Sequence, residues 1–376
     1  MKKLRPLLLK LHRWVGLSVG LLLLIQGLTG TVIVFRDELD RVIHPEIVVP
    51  VAPTRIPVQQ IFDTARATHP GETITRVELS RWDDGAALVK LTDPDTKALR
   101  LMSVDPFRGT ILRDGGLLTW PMELIFQIHY TLLAGDTGET IVGIEGLALL
   151  FMAITGPIIW WPGLKRIGTG FRVMWKGNVD RRWRTIHRAG GAAAALLLLV
   201  SATTGVLMVW KEEARVALRS LGPVTDKPTP KVAKIPGQAM VPIDRLVARA
   251  KAEYGETPLR QVRFSSGGRV VAVFLDSDLT IRADGTKQIY YNAYTGDDLG
   301  HYVAGALPAG SEFIDWLYTV HTGMFGGTLT QLLFLLSGVS LTGLSATGLW
   351  LWYSRRRQKS RNRAARAAAV PVAEAH

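Results

Sequence analysis

Four histidines lie at the ends of apolar stretches, and imidazole at such a position can bind a metal or a metal cofactor. His12 and His187 begin two of these stretches, while His129 and His321 come shortly before the other two. The chain has no cysteine, so disulfides, thiolate metal sites, iron–sulfur clusters and CxxCH haem attachment are excluded. Two imidazoles in apolar surroundings suit low-spin haem b, in which nitrogen fills both axial positions.

The competing interpretation is that these histidines are structural or contact lipid headgroups. A single histidine at a membrane boundary is commonly of that kind. The arrangement in two pairs, His12 with His187 and His129 with His321, favours ligation. We therefore predict that all four bind haem iron, as two bis-histidine sites.

Four apolar stretches position these histidines. They cover residues 15–35, 141–161, 189–210 and 329–353, and Glu145 is the only ionisable residue within them. Each has about 20 residues, enough to cross the hydrocarbon layer of a membrane as a helix. Because 47% of the residues are hydrophobic and 20% are charged, an ordinary soluble enzyme and a disordered chain are both disfavoured.

The basic residues predict how the chain crosses the membrane. The N-terminal segment, the loop between the second and third spans, and the C-terminal tail together hold twenty Lys and Arg residues against Asp180 and Glu374, although the whole chain carries only +13. Positive residues remain on the cytoplasmic side of a bacterial inner membrane. We therefore predict cytoplasmic termini and two periplasmic segments, and we interpret the basic charge as a topology signal, with no nucleic acid as partner.

This topology divides the chain into eight regions. They are the N-terminus and first span (1–36), a periplasmic module (37–118), an interfacial helix and second span (119–162), a basic loop (163–186), the third span (187–211), a second module (212–310), an interfacial helix and fourth span (311–353), and a basic tail (354–376). In the modules we predict helices at 58–69 and 243–254, followed by strands of alternating hydrophobicity. The Pro- and Lys-rich stretch 221–242 is predicted to be a linker.

The two halves of the chain repeat each other. Residues 11–40 align with 186–215, and this register matches His12 with His187 and Gly30 with Gly205. A second register matches His129 with His321, and it also matches Thr155-Gly156 with Thr347-Gly348. We interpret this as a tandem duplication. The predicted fold is an α-helical integral membrane protein with four transmembrane helices and two small α+β modules outside the membrane.

Glycines beside two of the histidines admit two interpretations. Gly16 and Gly191 lie four residues after His12 and His187, on the same face of the predicted helices. They either leave room for a flat porphyrin ring or let helices pack closely in lipid.

Charged residues near the predicted sites also admit more than one interpretation. Arg13 and Arg188 either pair with haem propionates or hold the chain on its cytoplasmic side. Glu145 either relays a proton, contacts a haem or quinone, or makes a hydrogen bond between helices. Gln26, Thr29, Ser201, Thr203 and Thr204 are interpreted as contacts between helices.

Several motifs together resemble a known family. The segments LHRWVGL, VDPFRG, WRTIHRAGG and VHTG, with the segment around His129, resemble in content and order the PepSY-associated transmembrane family of bacterial inner-membrane proteins. That family includes ferric-siderophore reductases of the ferrioxamine type. The resemblance implies haem-binding spans, with His12, His187, His129 and His321 matching the family's histidines, and PepSY-like periplasmic modules. The second module departs most, because Asn292 stands where Asp105 stands in the first.

The resulting hypothesis is a di-haem electron conduit that reduces a ferric siderophore in the periplasm and so releases Fe(II). Its partners would be the ferric siderophore, membrane lipid, and an electron donor that is either a quinol or a cytoplasmic reductase. A second hypothesis is a non-enzymatic module that binds a protein or regulates a protease, with structural histidines. A third, siderophore transport, lacks the broken midplane helices expected of transporters.

Overall fold

The computed structural model describes residues 4–276 and 285–368, without the side chains of residues 366–368. Lys2, Lys3 and the end of the predicted basic tail therefore lie outside the described residues. Within the described ranges the helices are α1 (Leu4–Ile33), α2 (Arg36–Ile43), α3 (Val58–Thr68), α4 (Pro121–Thr131), α5 (Gly135–Trp160), α6 (Ile167–Phe171), α7 (Val179–Val209), α8 (Lys211–Arg219), α9 (Ile243–Tyr254), α10 (Ala309–His321) and α11 (Gly327–Ala368). The strands are β1 (Thr73–Glu78), β2 (Ala87–Thr92), β3 (Leu99–Val104), β4 (Ile111–Gly116), β5 (Leu259–Ser265), β6 (Val270–Leu275), β7 (Lys287–Asn292) and β8 (Asp298–Val303).

The chain forms two compact units. The membrane unit comprises the described residues of Met1–Val34, Phe126–Trp210 and Val320–His376, and the sheet unit comprises those of Phe35–Ile125 and Lys211–Thr319. Each unit is therefore built from both halves of the chain.

Four helices of the membrane unit, α1, α5, α7 and α11, are long and apolar enough to cross a membrane. This confirms the four predicted spans. All four helices are longer than the predicted spans. α1 begins at Leu4 and α5 at Gly135. α7 begins at Val179, where the side chain of Asn178 caps it by accepting from the Arg181 backbone N–H, and α11 continues to Ala368. Part of the predicted loop and tail is thus helical, because Ala, Arg and Lys favour a helix once a span has started it.

Glycines allow α1 and α11 to approach closely. A Cβ atom built on Gly27 would lie 2.7 Å from the backbone nitrogen of Thr342, and one built on Gly338 would lie 3.0 Å from that of Thr31. Because backbone atoms cannot move aside, only glycine fits at these positions. Small residues drive helix association in lipid in this way, through close packing.

The sheet unit contains one antiparallel sheet with the strand order β4-β3-β2-β1-β5-β6-β7-β8. The sequence predicted two separate modules, but β1 pairs with β5, with Val77 opposite Val262. Both facing residues are fully buried, and one hydrophobic core extends over strands from both halves of the chain. The two segments therefore share a sheet, since pairing their first strands removes two exposed strand edges.

Helices α3 and α9 hold the two segments together at one end. The carboxylate of Asp244 accepts hydrogen bonds from the backbone N–H groups of Val58 and Gln59, at 2.9 Å each. In return, the side-chain oxygen of Gln59 accepts from the backbone N–H of Ile243 at 2.9 Å. Each helix thus caps the first turn of the other, which satisfies donors that a helix start leaves free. Both helices confirm the predicted positions to within one residue.

The motifs around Asp105 and Asn292 form matching turns. The carboxylate of Asp105 accepts from the backbone N–H groups of Phe107 and Arg108, and the side-chain oxygen of Asn292 accepts from that of Tyr294. Burial of Asp105 tends to raise its pKa, but these hydrogen bonds and the Arg108 guanidinium bring the pKa below its ordinary value. Replacement of Asp by Asn therefore leaves the turn intact, because either side chain provides the acceptor.

Candidate cofactor site at two histidine pairs

The second histidine pair, His129 and His321, lies within the membrane unit with the two rings facing each other. The ring centres are 6.4 Å apart and the ring planes are inclined by 50°. His129 is in the last turns of α4 and His321 ends α10, so two short helices from opposite halves of the chain bring these rings together. Burial, and secondly the neighbouring His321, lower the pKa of His129 to about 3, and burial also lowers the pKa of His321. The surroundings of both imidazoles therefore favour the neutral form.

The first pair, His12 and His187, lies in α1 and α7. His12 contacts Thr155 and His187 contacts Thr347. The structure thus brings together the residues of the second predicted pair. Each pair combines one histidine from each half of the chain.

A threonine hydroxyl contacts one nitrogen of each imidazole. The Nδ1 atom lies 2.9 Å from the Oγ1 atom of the threonine for three of the histidines and 3.0 Å for His129. The four contacts are His12–Thr155, His129–Thr29, His187–Thr347 and His321–Thr204. Among the described residues no hydrogen bond reaches the Nε2 atom of any of these rings, which leaves this nitrogen available as a ligand.

A glycine follows each of these threonines and lies beside the same ring. A Cβ atom built on the glycine would meet the Cε1 atom of the histidine at 3.0 Å for Gly30, 3.2 Å for Gly205, 3.6 Å for Gly348 and 3.8 Å for Gly156. Four threonine–glycine pairs, Thr29-Gly30, Thr155-Gly156, Thr204-Gly205 and Thr347-Gly348, therefore surround the four histidines. Gly30 and Gly205 lie closest to their histidine rings, and both belong to the His129–His321 pair.

The residues of the second pair fit a haem. A metal–imidazole bond measures about 2 Å, and the ring centre lies about 1 Å farther out, so two imidazoles opposed across one metal have ring centres roughly 6 Å apart. The observed 6.4 Å agrees with this value. Two neutral imidazoles with no thiolate nearby are the donor set of a bis-histidine haem b. No group of three or more His, Asp or Glu side chains that could hold a metal ion occurs in the described part of the chain.

The other predicted site residues make contacts that do not indicate a cofactor. A Cβ atom on Gly16 would lie 2.9 Å from the Cε atom of Met152, and one on Gly191 would lie 3.5 Å from a methyl carbon of Leu344. These two glycines therefore accommodate neighbouring apolar side chains, as close packing requires. The guanidinium of Arg188 donates to the backbone carbonyls of Thr169 and Arg172, and that of Arg13 is exposed.

Glu145 lies inside the membrane unit and is only 1% exposed. No hydrogen bond reaches either of its carboxyl oxygens among the described residues, and the same holds for the side-chain nitrogen of Gln26. In the second half of the chain, the two repeat registers place Ser201 and Ser337 at the equivalent positions, where their hydroxyls are 3.3 Å apart. The predicted interhelical hydrogen bond of Glu145 is therefore absent from the described structure.

The sequence analysis identified the histidines and missed the role of the threonines. Thr155 and Thr347 were noted only as matching residues of the repeat, and Thr29 and Thr204 only as contacts between helices. The available signal was the dipeptide Thr-Gly, which occurs once in each of the first three predicted spans and twice in the fourth, at Thr342-Gly343 and Thr347-Gly348. The partner of each threonine could not be read from the sequence, because it is a histidine of another helix, 100 or more residues away in the chain.

Comparison with known protein families identifies the class of protein. Residues 9–355 match the family described as PepSY-associated TM region. No curated protein matches the chain. Since the match covers nearly the whole chain, and four helices can cross a membrane, the protein is a transmembrane member of the PepSY-associated TM region family.

Proposed function

We propose that this protein is a di-haem b electron conduit of the bacterial inner membrane, which reduces a ferric siderophore on the periplasmic side. The observation that carries the proposal is the geometry of the second pair. The ring centres of His129 and His321 are 6.4 Å apart. Thr29 and Thr204 contact the Nδ1 atoms of these rings, and no hydrogen bond among the described residues reaches Nε2.

In this proposal each haem is held by one histidine from each half of the chain. His12 and His187 would bind one haem, and His129 and His321 the other. Bound iron porphyrin supplies one-electron redox chemistry at these positions. The chain's own residues bind and orient the group, and the apolar helices exclude water from it, which are the means by which a protein adjusts a redox potential.

The direction of transfer is supported by the charge distribution. The basic loop and tail predict that the His12–His187 end is cytoplasmic, so an electron would enter there and leave at the His129–His321 end. A quinol or a cytoplasmic reductase would donate it. Reduction of siderophore iron releases the metal, because Fe(II) binds hard oxygen ligands more weakly than Fe(III) does.

An absorption spectrum of the purified protein tests the cofactor. Protein from cells supplied with haem should show a Soret band, sharp α and β bands on reduction, and two haems per chain. His321→Ala should lose one haem and His187→Ala the other. His301→Ala is the matched control, because this residue lies on β8 of the sheet unit, and it should retain both. A colourless wild-type protein would refute the proposal in favour of a non-enzymatic membrane module.

The substrate is tested in proteoliposomes. A reductant sealed inside, with a ferric hydroxamate chelate and a ferrous-selective dye outside, should yield external Fe(II) only when the protein is present. His321→Ala should abolish this signal, and His301→Ala should preserve it. Full haem loading without any reduction of ferric chelates would retain the electron conduit and reject the siderophore as its acceptor.

A further inference from the structure

The four threonine–glycine pairs have a chemical consequence for the imidazoles that they contact. Resting on the proposed function, we propose that these pairs are positioning residues, which hold each histidine in the tautomer with the proton on Nδ1. In that tautomer the lone pair is on Nε2, the nitrogen that has no partner. Each ring is then ready to bind metal before the cofactor arrives.

The direction of each hydrogen bond follows from where the threonine proton goes. The hydroxyl of Thr204 donates to the backbone carbonyl of Val200 at 2.8 Å, four residues earlier in the same helix. The other three threonines make the same bond, to Ile25, Phe151 and Gly343, at 2.7–2.8 Å. A hydroxyl has a single proton, so a hydroxyl that donates to a carbonyl can only accept from Nδ1. The imidazole must therefore carry its proton on that nitrogen.

The glycines of the two closest pairs, Gly30 and Gly205, determine where the rings of His129 and His321 can lie. Without a Cβ atom, the helix backbone beside the threonine leaves room for the Cε1 edge of the imidazole. The ring can therefore approach until Nδ1 reaches the hydroxyl. A hydrogen bond from the distal nitrogen orients a metal-binding imidazole and increases its basicity, so the threonine both directs Nε2 and makes it a stronger ligand.

Adjacent threonines in α7 provide a matched pair of variants. Thr203 and Thr204 both donate to the carbonyl four residues earlier, but only Thr204 contacts a histidine. The experiment uses the full chain in detergent micelles, labelled with ¹⁵N-histidine and produced without haem. Nitrogen chemical shifts report which ring nitrogen carries the proton, and the signals of His321 are identified by their loss in His321→Ala.

The wild-type protein should show His321 with its proton on Nδ1. Thr204→Val should lose this signature, Thr204→Ser should restore it, and Thr203→Val should leave it unchanged. When the proteins are loaded with haem, Thr204→Val should bind one of its two haems about 10- to 100-fold more weakly, the usual cost of losing such a partner. The reduction potential of that haem should become more positive, because its axial ligand donates less charge.

The proposal is overturned if His321 of the wild type carries its proton on Nε2, or if Thr204→Val leaves the Nδ1 proton in place. Failure of the proposed function is distinguishable from this result. A protein with the expected tautomers that takes up no haem would reject the electron conduit and retain the role of the threonines.

Discussion

A methyl group added at Gly30 should displace His129, whereas one added at Gly348 should be tolerated. The new Cβ atom would lie 3.0 Å from the Cε1 atom of His129 in the first case, and 3.6 Å from that of His187 in the second. Carbon atoms pack at about 3.5–4.0 Å. The imidazole of His129 must therefore move by roughly 0.5 Å or more, and that of His187 need not move.

This displacement is large compared with what a binding site tolerates. A shift of about 0.5 Å is the limit within which a site stays productive, and the Nδ1–Oγ1 contact of His129 already measures 3.0 Å. We expect Gly30→Ala to cost about 1–3 kcal/mol of stability through overpacking and to weaken one haem site about 10- to 100-fold. Gly348→Ala should be neutral, or slightly stabilising through its better helix propensity.

Haem titration and thermal unfolding of the purified variants measure both effects. In Gly30→Ala the loss should be confined to one haem, and Gly348→Ala should bind two haems as the wild type does. Equal behaviour of the two variants, in either direction, would refute the reasoning, because the contact distances would then not govern the position of the ring.

Three further substitutions test the surroundings of the site. Glu145→Leu should raise the free energy of unfolding by about 1–3 kcal/mol, because it removes a buried carboxyl that no hydrogen bond reaches among the described residues. A lower melting temperature of this variant would instead show that Glu145 has a binding partner in the membrane. Asp105→Ala should destabilise the protein by about 1–2 kcal/mol, since two backbone N–H groups lose their acceptor, while Asp105→Asn should be nearly neutral, as the turn at Asn292 indicates; equal melting temperatures of the two variants would contradict this. Asp244→Ala should cost about 1–2 kcal/mol by removing the cap of α3, measured by chemical denaturation. Asp95→Ala, at an exposed turn residue, is a control that should be near neutral.

The helices could largely be predicted from the sequence. Hydropathy and length located the four spans, and periodicity located α3 and α9 to within one residue, because both signals depend on residues close together in the chain. The ends of α7 and α11 were missed, since polar residues continue a helix without leaving an apolar signal. The pairing of β1 with β5 was missed for a different reason. It joins Val77 to Val262, and strand partners so far apart are not encoded in local alternation.

The candidate site, like the fold, could be predicted from the sequence only in part. The four histidines and their predicted pairing came from residue type, spacing and the similarity of the two halves of the sequence. The hydrogen-bond partner of each imidazole was decided only by the tertiary structure. Thr204 and Thr203 are identical in type and adjacent in sequence, yet only the rotation of α7 determines which hydroxyl meets His321. The sequence by itself thus determined which groups are available for chemistry, and the packing of the helices decided which hydroxyl each imidazole contacts.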